Sequence, residues 1–467
     1  MAKKFDKLVL RHRRAPGDII CLTALVRDIK VAYPNSVLDL DSTCMELWDN
    51  NPHISSTPLW NHNTKDPKIT VAGTRFVNCN YGQGIKDQKR ETVHFVSYFH
   101  RDFEQKTGLR VPLTLPYGDI HLSEHERTVN PITGRYWVML SGGKTDFTIK
   151  VWHSDSFQSV VCQLRERGIQ IVQLGDNQKD HWHPTINGTL DLRGKTSLRD
   201  MLQIIHHSDG VICGVTAAMH MAAALQRPCV CIAGGREAWW WEAYTDTNTG
   251  LGGAATAKLI KVPHRFLHTI GLLDCCKHYG CWKNKVVKIN EDNMLCRYPV
   301  HTESMPVAKC MHIITPRHVV EAVMSYYEDR TLPPISMPEA SELQPVINNI
   351  PGTTTLKVSD KVTLRTEPQK VNRAIASRPL VGAVELKDVA VFDNKDVGSR
   401  FTIFILFSGE EKYYDMHKRC IESILATVPL ERVDIRVGSN QLNPKSVAML
   451  DDYVTRKQIT KHYRHLA

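Results

Sequence analysis

The sequence predicts an α/β protein with two Rossmann-like domains, followed by a linker and a partial third α/β segment. Three observations carry this. The chain opens with a strand, a tight loop and an amphipathic helix and then returns to a strand. A second series, in which four strands alternate with helices, fills the middle. A proline-rich stretch then separates both from a last strand, helix and strand.

In order along the chain, KLVLR (Lys7 to Arg11) is the first strand and RRAPGD (Arg13 to Asp18) the loop. Leu22, Leu25, Val26 and Ile29 then recur at helical spacing until Pro34 stops the helix. VLDLDS (Val37 to Ser42) resumes an extended pattern, and TRFVN (Thr74 to Asn78) is a further strand. The stretch to residue 130 is patchier, rich in His, Asn and aromatics. The second series runs from YWVML (Tyr136 to Leu140) through a helix near Asp155 to Arg167 and a strand at Ile169 to Gly175. It continues with the helix TSLRDMLQIIHH, the strand GVICG (Gly210 to Gly214), the helix TAAMHMAAALQ and the strand PCVCIAG (Pro228 to Gly234). PRHVVEAVMSYYE (Pro316 to Glu328) closes it as a helix with Pro in its first turn.

From Thr331 to Arg400 the chain carries seven of its 23 prolines, and its one aromatic there is Phe392, which reads as a linker. After it come the strand RFTIFILF (Arg400 to Phe407), a helix across Asp415 to Ala426 and the strand VDIRVGS (Val433 to Ser439). The domains expected are therefore 1–130, 131–330, a linker 331–400 and a partial domain 401–467. A length of 467 residues agrees, because single cores rarely grow that large.

With 42% hydrophobic and 23% charged residues, wholesale disorder, collagen and coiled coil are excluded. The longest apolar stretch, Val211 to Leu225, holds His220 and is shorter than the roughly 20 residues a membrane helix needs. MAKKFDKLVLRHRR has no apolar core of a secretory signal, so the expected location is the cytoplasm. A net charge of +10 favours anionic partners: nucleotides, phosphorylated sugars, nucleic acid or an acidic membrane surface touched peripherally. No basic run interleaves with aromatics in the two-domain core, which argues against nucleic acid as the main partner.

Three loops at the carboxyl ends of strands offer chemistry, because ligands of open α/β sheets bind there. The first is APGD, where Gly17 permits close approach and Asp18 is either a functional carboxylate or a helix cap. The second, SGGKTDFTIKVW, offers Ser141, Gly142, Gly143 and Lys150 to a diphosphate, or is an ordinary exposed loop. The third, GVTAAMHMAAAL, places Thr216 and Ala217 at a helix start, with Met219 and His220 one turn in as core or site residues. Thirteen cysteines in a chain without an export signal are expected to be reduced, and an odd number cannot all pair internally. Five of them, Cys275, Cys276, Cys281, Cys296 and Cys310, cluster; zinc ligation, disulfides and unlinked buried thiols all remain open on spacing.

The order APGDII…LTALVRDIKVAYP, then Lys150-x-Trp152, then LRGKTSLRDMLQIIHHSDGVICGVTAAMHMAAAL and IAGGREAWWWEAY resembles glycosyltransferase family 9, the ADP-heptose:lipopolysaccharide heptosyltransferases. The resemblance covers roughly residues 7 to 328. It implies a GT-B fold, with the acceptor on the N-terminal domain and the nucleotide-sugar on the C-terminal one, and glycosyl transfer that needs no metal or other cofactor. By position, Asp18 matches the family's general base and Lys150 the lysine that neutralises the donor diphosphate. Ser141, Gly142, Thr216, Ala217, Met219 and His220 fall on the donor side. The family's D-S-G-x-x-H turn is altered here: Val215 stands at the Asp and Ala217 at the Gly. The cysteine cluster also resembles a C-terminal element in a subset of these enzymes; by spacing Cys276, Cys281, Cys296 and Cys310 could bind a structural zinc, with His278, His301 and His312 as rival ligands and no CxxC pair. FTIFILFSGEEKYYDMHKRCIESILATVP is similar to the opening of a family 2 type GT-A transferase. Asp451 and Asp452 fall in an expected helix and are not read as its metal motif.

The function expected is an inverting glycosyltransferase that passes a heptose-like sugar or a hexose from a nucleotide-diphosphate sugar to a cell-envelope glycan. Its rivals are a GT-B module that only binds nucleotide or glycan, and a transferase acting on a modified nucleic-acid base.

Overall fold

The computed structural model describes residues 6–62, 69–87, 91–176, 180–288, 294–302, 305–343, 354–360, 362, 364, 401–408, 433–440, 444–455 and 461–464. The chain forms two compact units, Met1–Ile375 and Ala376–Ala467.

The first unit is α/β with two parallel sheets. Its N-terminal sheet comprises β1 (Lys7–His12), β2 (Val37–Ser42) and β3 (Thr74–Asn78), in the order β2-β1-β3. The central strand β1 buries Leu8, Val9 and Leu10 completely. α1 (Pro16–Ala32) leaves β1 with Pro in its first turn, where a missing N–H costs nothing. Ile19, Ile20, Leu22, Leu25, Val26 and Ile29 of α1 are all fully buried, more than one stripe's worth. α1 is enclosed on more than one side, by the sheet, by α2 (Phe95–Thr107) and by a helix of the second domain. Sequence reading missed α2, whose buried Phe95, Phe99 and Phe103 repeat at four-residue spacing among polar neighbours. The polar end of α1 is satisfied internally. Asp28 is fully buried, with its carboxylate on Arg27 Nε at 2.9 Å and His100 Nε2 at 2.9 Å. Burial opposes its charge, but His100 and Arg27 outweigh that and hold its pKa below the usual carboxylate range.

The C-terminal sheet has six strands rather than the four expected. These are β4 (Tyr136–Met139), β5 (Gln170–Gln173), β6 (Leu190–Asp191), β7 (Gly210–Gly214), β8 (Cys229–Gly234) and β9 (Arg265–His268), ordered β9-β8-β7-β4-β5-β6. This is the doubly wound order of a Rossmann sheet, reversing direction between β4 and β7. β6 is two residues long and β9 reads RFLH, so neither carries a strand pattern on its own. α3 (Ser154–Glu166), α4 (Leu198–His207), α5 (Ala217–Ala224) and α6 (Pro316–Met324) cover it. A capping box, Ser197 with Asp200, starts α4.

The domains meet along α1 and α5. The small residues of α5, AAMHMAAA, allow the helices to approach so closely that a Cβ on Gly17 would sit 2.8 Å from His220 Cδ2 and 3.5 Å from the Ala217 Cα. A second tie is the bidentate pair of Arg199, at the start of α4, with Glu126. The Arg199 guanidinium also donates to the His121 carbonyl at 2.9 Å.

Residues 331–343, 354–360, 362 and 364 of the expected linker are among the described residues. Residues 354–360 fold back on the first unit: Ser359 donates to the Pro131 carbonyl at 2.7 Å, Thr133 to Lys357 at 3.0 Å, and Leu356 is buried. In the second unit, β10 (Phe401–Ser408), β11 (Val433–Asn440) and β12 (Lys461–Arg464) form a parallel sheet in that order, with α7 (Pro444–Thr455) between the last two. Asp451 and Asp452 lie in α7, as expected. The helix expected across Asp415 to Ala426 lies outside the described residues. Among the described residues no helix is long and apolar enough to cross a membrane.

Candidate active site

Both sheets reverse strand order next to a helix start, β1 leading into α1 and β7 into α5, and the polar cluster gathers there. Asp18 sits in the first turn of α1, half-buried. The residue capping that helix is Ala15, and no side chain caps it, so the capping reading of Asp18 is not what the fold uses. What remains for the carboxylate locally is the helix dipole. Tyr81 stands beside it, its phenol pushed well up by burial and by the neighbouring Asp18 charge.

Across from Asp18, the domain of β4 contributes Lys150. Its Nζ is 2.7 Å from Glu237 Oε1, and Glu237 is also gripped by Arg236. Burial lowers the Lys150 pKa to about 8, opposed by the carboxylates of Glu242 and Asp18. Arg236 is fixed in turn: Nε donates to the Lys283 carbonyl at 2.7 Å, and the guanidinium lies over the Phe147 and Trp282 rings. Glu242, six residues past Arg236, has its pKa raised by burial, with Lys150 and Arg236 pulling it back. A lysine and an arginine held by buried carboxylates at a strand's carboxyl end can exchange those partners for a phosphate group.

Only part of the expected donor set opens on this cluster. Thr216 and Ala217 are partly exposed at the start of α5, and the Thr216 side chain makes no cap there. His220 is enclosed: its Nδ1 is 2.9 Å from the Tyr244 hydroxyl and 3.6 Å from Cys21 Sγ, and its Nε2 is 4.0 Å from Glu242. Burial drives its pKa well down, so it is neutral and acts as a polar strut between domains. Met219 is fully buried core. Ser141 is also fully buried, donating to the Pro184 carbonyl at 3.1 Å and accepting from Gln173 Nε2 at 2.8 Å. Gly142 is glycine because the Trp182 carbonyl oxygen occupies the place of its Cβ, 1.9 Å from it. Sequence reading gave no role to Arg236, Glu237, Glu242, Tyr81 or Tyr244. The run GREAWWWEAY held a signal, since two acids and an arginine beside a strand end are rarely there for packing.

The clustered cysteines gather at a cavity of about 410 Å³. Cys275, Cys281, Cys296 and Cys310 line it, and the Cys276 thiol, which donates to the Thr269 carbonyl at 3.4 Å, lies against the Cys275 thiol at its edge. Burial pushes the Cys275 thiol up to about 12, reinforced by the other thiols. The donor chemistry suits a thiophilic divalent ion. The sulfurs are not drawn to mutual ligand spacing: among the described residues the one metal-type group closer than 4.8 Å lies elsewhere. The cavity wall abuts the site. Cys281 donates to the Gly235 carbonyl at 3.1 Å and Trp282 to Arg236 at 3.0 Å, so this segment props the turn that carries Arg236 and Glu237.

The model of glycosyltransferase family 9 (heptosyltransferase) matches residues 52–264, a little under half of the chain. The chain is an enzyme of the glycosyltransferase class. No curated protein matches the sequence. Among solved structures, a family 9 glycosyl transferase of Veillonella parvula is 14% identical, covering 71% of this chain and 99% of its own, with a TM-score of 0.44. The E. coli ADP-heptose lps heptosyltransferase II is 13% identical over 69% of this chain and 100% of its own, TM-score 0.39. The iron-containing dodecameric glycosyltransferase TibC of enterotoxigenic E. coli is 16% identical over 70% and 77%, TM-score 0.44. Likenesses this slight carry no argument about substrate.

Proposed function

We propose that the protein transfers a heptose-like sugar or a hexose from a nucleotide-diphosphate sugar, ADP-heptose foremost, to a hydroxyl of a cell-envelope glycan, with inversion and no metal in the chemical step. The observation that carries this is the meeting of Asp18 and Lys150, from opposite domains, within each other's electrostatic reach at the carboxyl edges of both sheets. Asp18 takes the proton of the acceptor hydroxyl as its oxygen bonds to the anomeric carbon. The bond to the diphosphate breaks on the opposite face, and the nucleoside diphosphate leaves with its new charge beside Lys150. Arg236 and the N-terminus of α5 at Thr216 and Ala217 complete the donor side. The setting is the cytoplasm, with peripheral contact to an anionic membrane through the basic surface. The second unit is a partial GT-A-like domain.

A screen of ADP-, UDP-, GDP- and CMP-sugars by thermal shift, followed by turnover assays, tests this reading. ADP-heptose is expected to stabilise most and to be consumed when glycan acceptor is added. Binding without turnover on any acceptor returns a non-catalytic module, and turnover on a nucleobase moves the acceptor class. The Lys150 ammonium supplies a pH signature. Protonated lysine binds the diphosphate, so donor dissociation constants rise as pH climbs through about 8, by about tenfold per unit well above it. Lys150→Met is expected to weaken binding at pH 7 and flatten that rise; an unchanged slope removes Lys150 from the donor site.

The cysteine cavity is proposed to hold one structural zinc, on thiolates drawn from Cys276, Cys281, Cys296 and Cys310 with Cys275 as the alternative to Cys276. Purified protein is expected to carry one zinc that Cys281→Ser/Cys310→Ser loses, with a lower melting temperature. Elemental analysis finding iron or no metal overturns the assignment.

A further inference from the structure

His53, Asp119 and His121 take no part in the cluster above. His121 Nε2 lies 2.9 Å from Asp119 Oδ2, and His53 Nε2 lies 3.3 Å from the same oxygen. The two rings stand nearly perpendicular, 85° apart with centroids at 5.8 Å. All three donor atoms fall within 4.8 Å of one another. We propose that these side chains form a site for one divalent transition-metal cation, Zn²⁺, Co²⁺ or Ni²⁺, bound by two imidazole nitrogens and one carboxylate oxygen, with water in the remaining positions.

The geometry fits before any metal arrives. Metal–ligand bonds of about 2.0–2.2 Å put neighbouring ligands about 2.9–3.5 Å apart in octahedral or tetrahedral shells. The two measured edges, 2.9 and 3.3 Å, fall in that window. The side chains are 21% to 29% exposed, enough for a hydrated ion to enter and keep waters. Each ligand is oriented by its own backbone. The Asp119 N–H donates to Thr23 Oγ1 of α1 at 2.6 Å, the His121 carbonyl accepts from Arg199 at 2.9 Å, and the His53 N–H donates to Asn51 Oδ1 at 2.9 Å. Such anchoring makes a ligand set preorganised instead of merely adjacent. Without metal, an imidazole Nε2–H points at the carboxylate. On binding, each neutral ring carries its proton on Nδ1 and gives the Nε2 lone pair to the cation, with no net change in charge on the rings.

The place gives the site its consequence. His53 lies on the loop after β2, while Asp119 and His121 lie on the stretch that leads from the first sheet to the second. A cation there fastens the N-terminal domain's loop to the interdomain connection, beside the Arg199 and Glu126 pair.

The test uses the full-length protein, stripped of metal and titrated with Co²⁺ by calorimetry and absorption. One equivalent is expected with weak d–d bands and no thiolate charge transfer, which sets it apart from any cobalt at the cysteines. The same equivalent is expected to raise the melting temperature. His53→Gln/His121→Gln is expected to lose that equivalent and the thermal shift while keeping any thiolate band. Asp119→Asn, which preserves the hydrogen bonding, is expected to weaken it by at least about tenfold. No thiolate-free equivalent at micromolar free Co²⁺, or one that survives in the folded double variant, overturns the proposal.

Discussion

Asp18→Asn is expected to lower kcat for sugar transfer by about 10²–10⁴-fold while leaving donor affinity nearly unchanged. The substitution keeps the shape of the side chain and removes the group that accepts the acceptor's proton. Its structural cost is small, because the first turn of α1 loses only a favourable charge near the helix N-terminus, worth about 0.3–1 kcal/mol. Ala15, not Asp18, caps that helix. The two roles therefore separate cleanly: a fold-only role moves the melting temperature slightly and leaves kcat alone. Steady-state kinetics with donor and acceptor varied in turn, beside a thermal melt, decides it. A variant with wild-type kcat removes Asp18 as the base.

Arg199→Ala is expected to cost about 3–5 kcal/mol of stability, the largest loss from any single change at the domain junction. Arg199 is 2% exposed and grips both oxygens of Glu126. The pair and the Ser123 backbone N–H hold the Glu126 pKa at about 2 against the opposing effect of burial. Removing the guanidinium leaves that carboxylate enclosed without its counter-charge and the His121 carbonyl without its donor. Because the folded pKa of Glu126 is depressed, the pair's stabilisation is present above the unfolded value and is lost as pH falls toward about 2. Denaturant unfolding of wild type and Arg199→Ala at pH 7 and pH 4 reads both effects, the gap narrowing at the lower pH. A loss under about 1 kcal/mol returns the pair to the ordinary run of surface ion pairs.

Where hydrophobic period and length agreed, the elements were plain from the residues alone. β2, β3 and β7 lie on the residues expected, α3 and α4 differ by a residue or two at their ends, and α1 begins at Pro16, taking in the last three residues of the expected loop. What stayed hidden had a physical reason in each case. β6 and β9 are strands only because neighbours complete their hydrogen bonding. α2 buries aromatics but is polar overall. The site was half legible. Position alone left Asp18 between carboxylate and cap and Lys150 in a loop of no necessary role; the family resemblance singled them out, and the fold brings the two near each other from opposite domains. Ser141, Gly142 and Met219 looked equally apt, yet burial, a neighbouring carbonyl and the core account for them. Such distinctions depend on what lies across the fold, and local sequence does not contain it.

The contact of Gly17 with the His220 ring also constrains how this sequence can vary. The ring is pinned by Tyr244 and cannot swing aside, so the absent side chain at 17 and the large one at 220 share a single volume. Homologous sequences should accordingly show the two positions changing together, a larger residue at one matched by a smaller one at the other. The pair crosses from one domain to the other, so exchange of either domain between relatives should fail unless both members travel or are corrected.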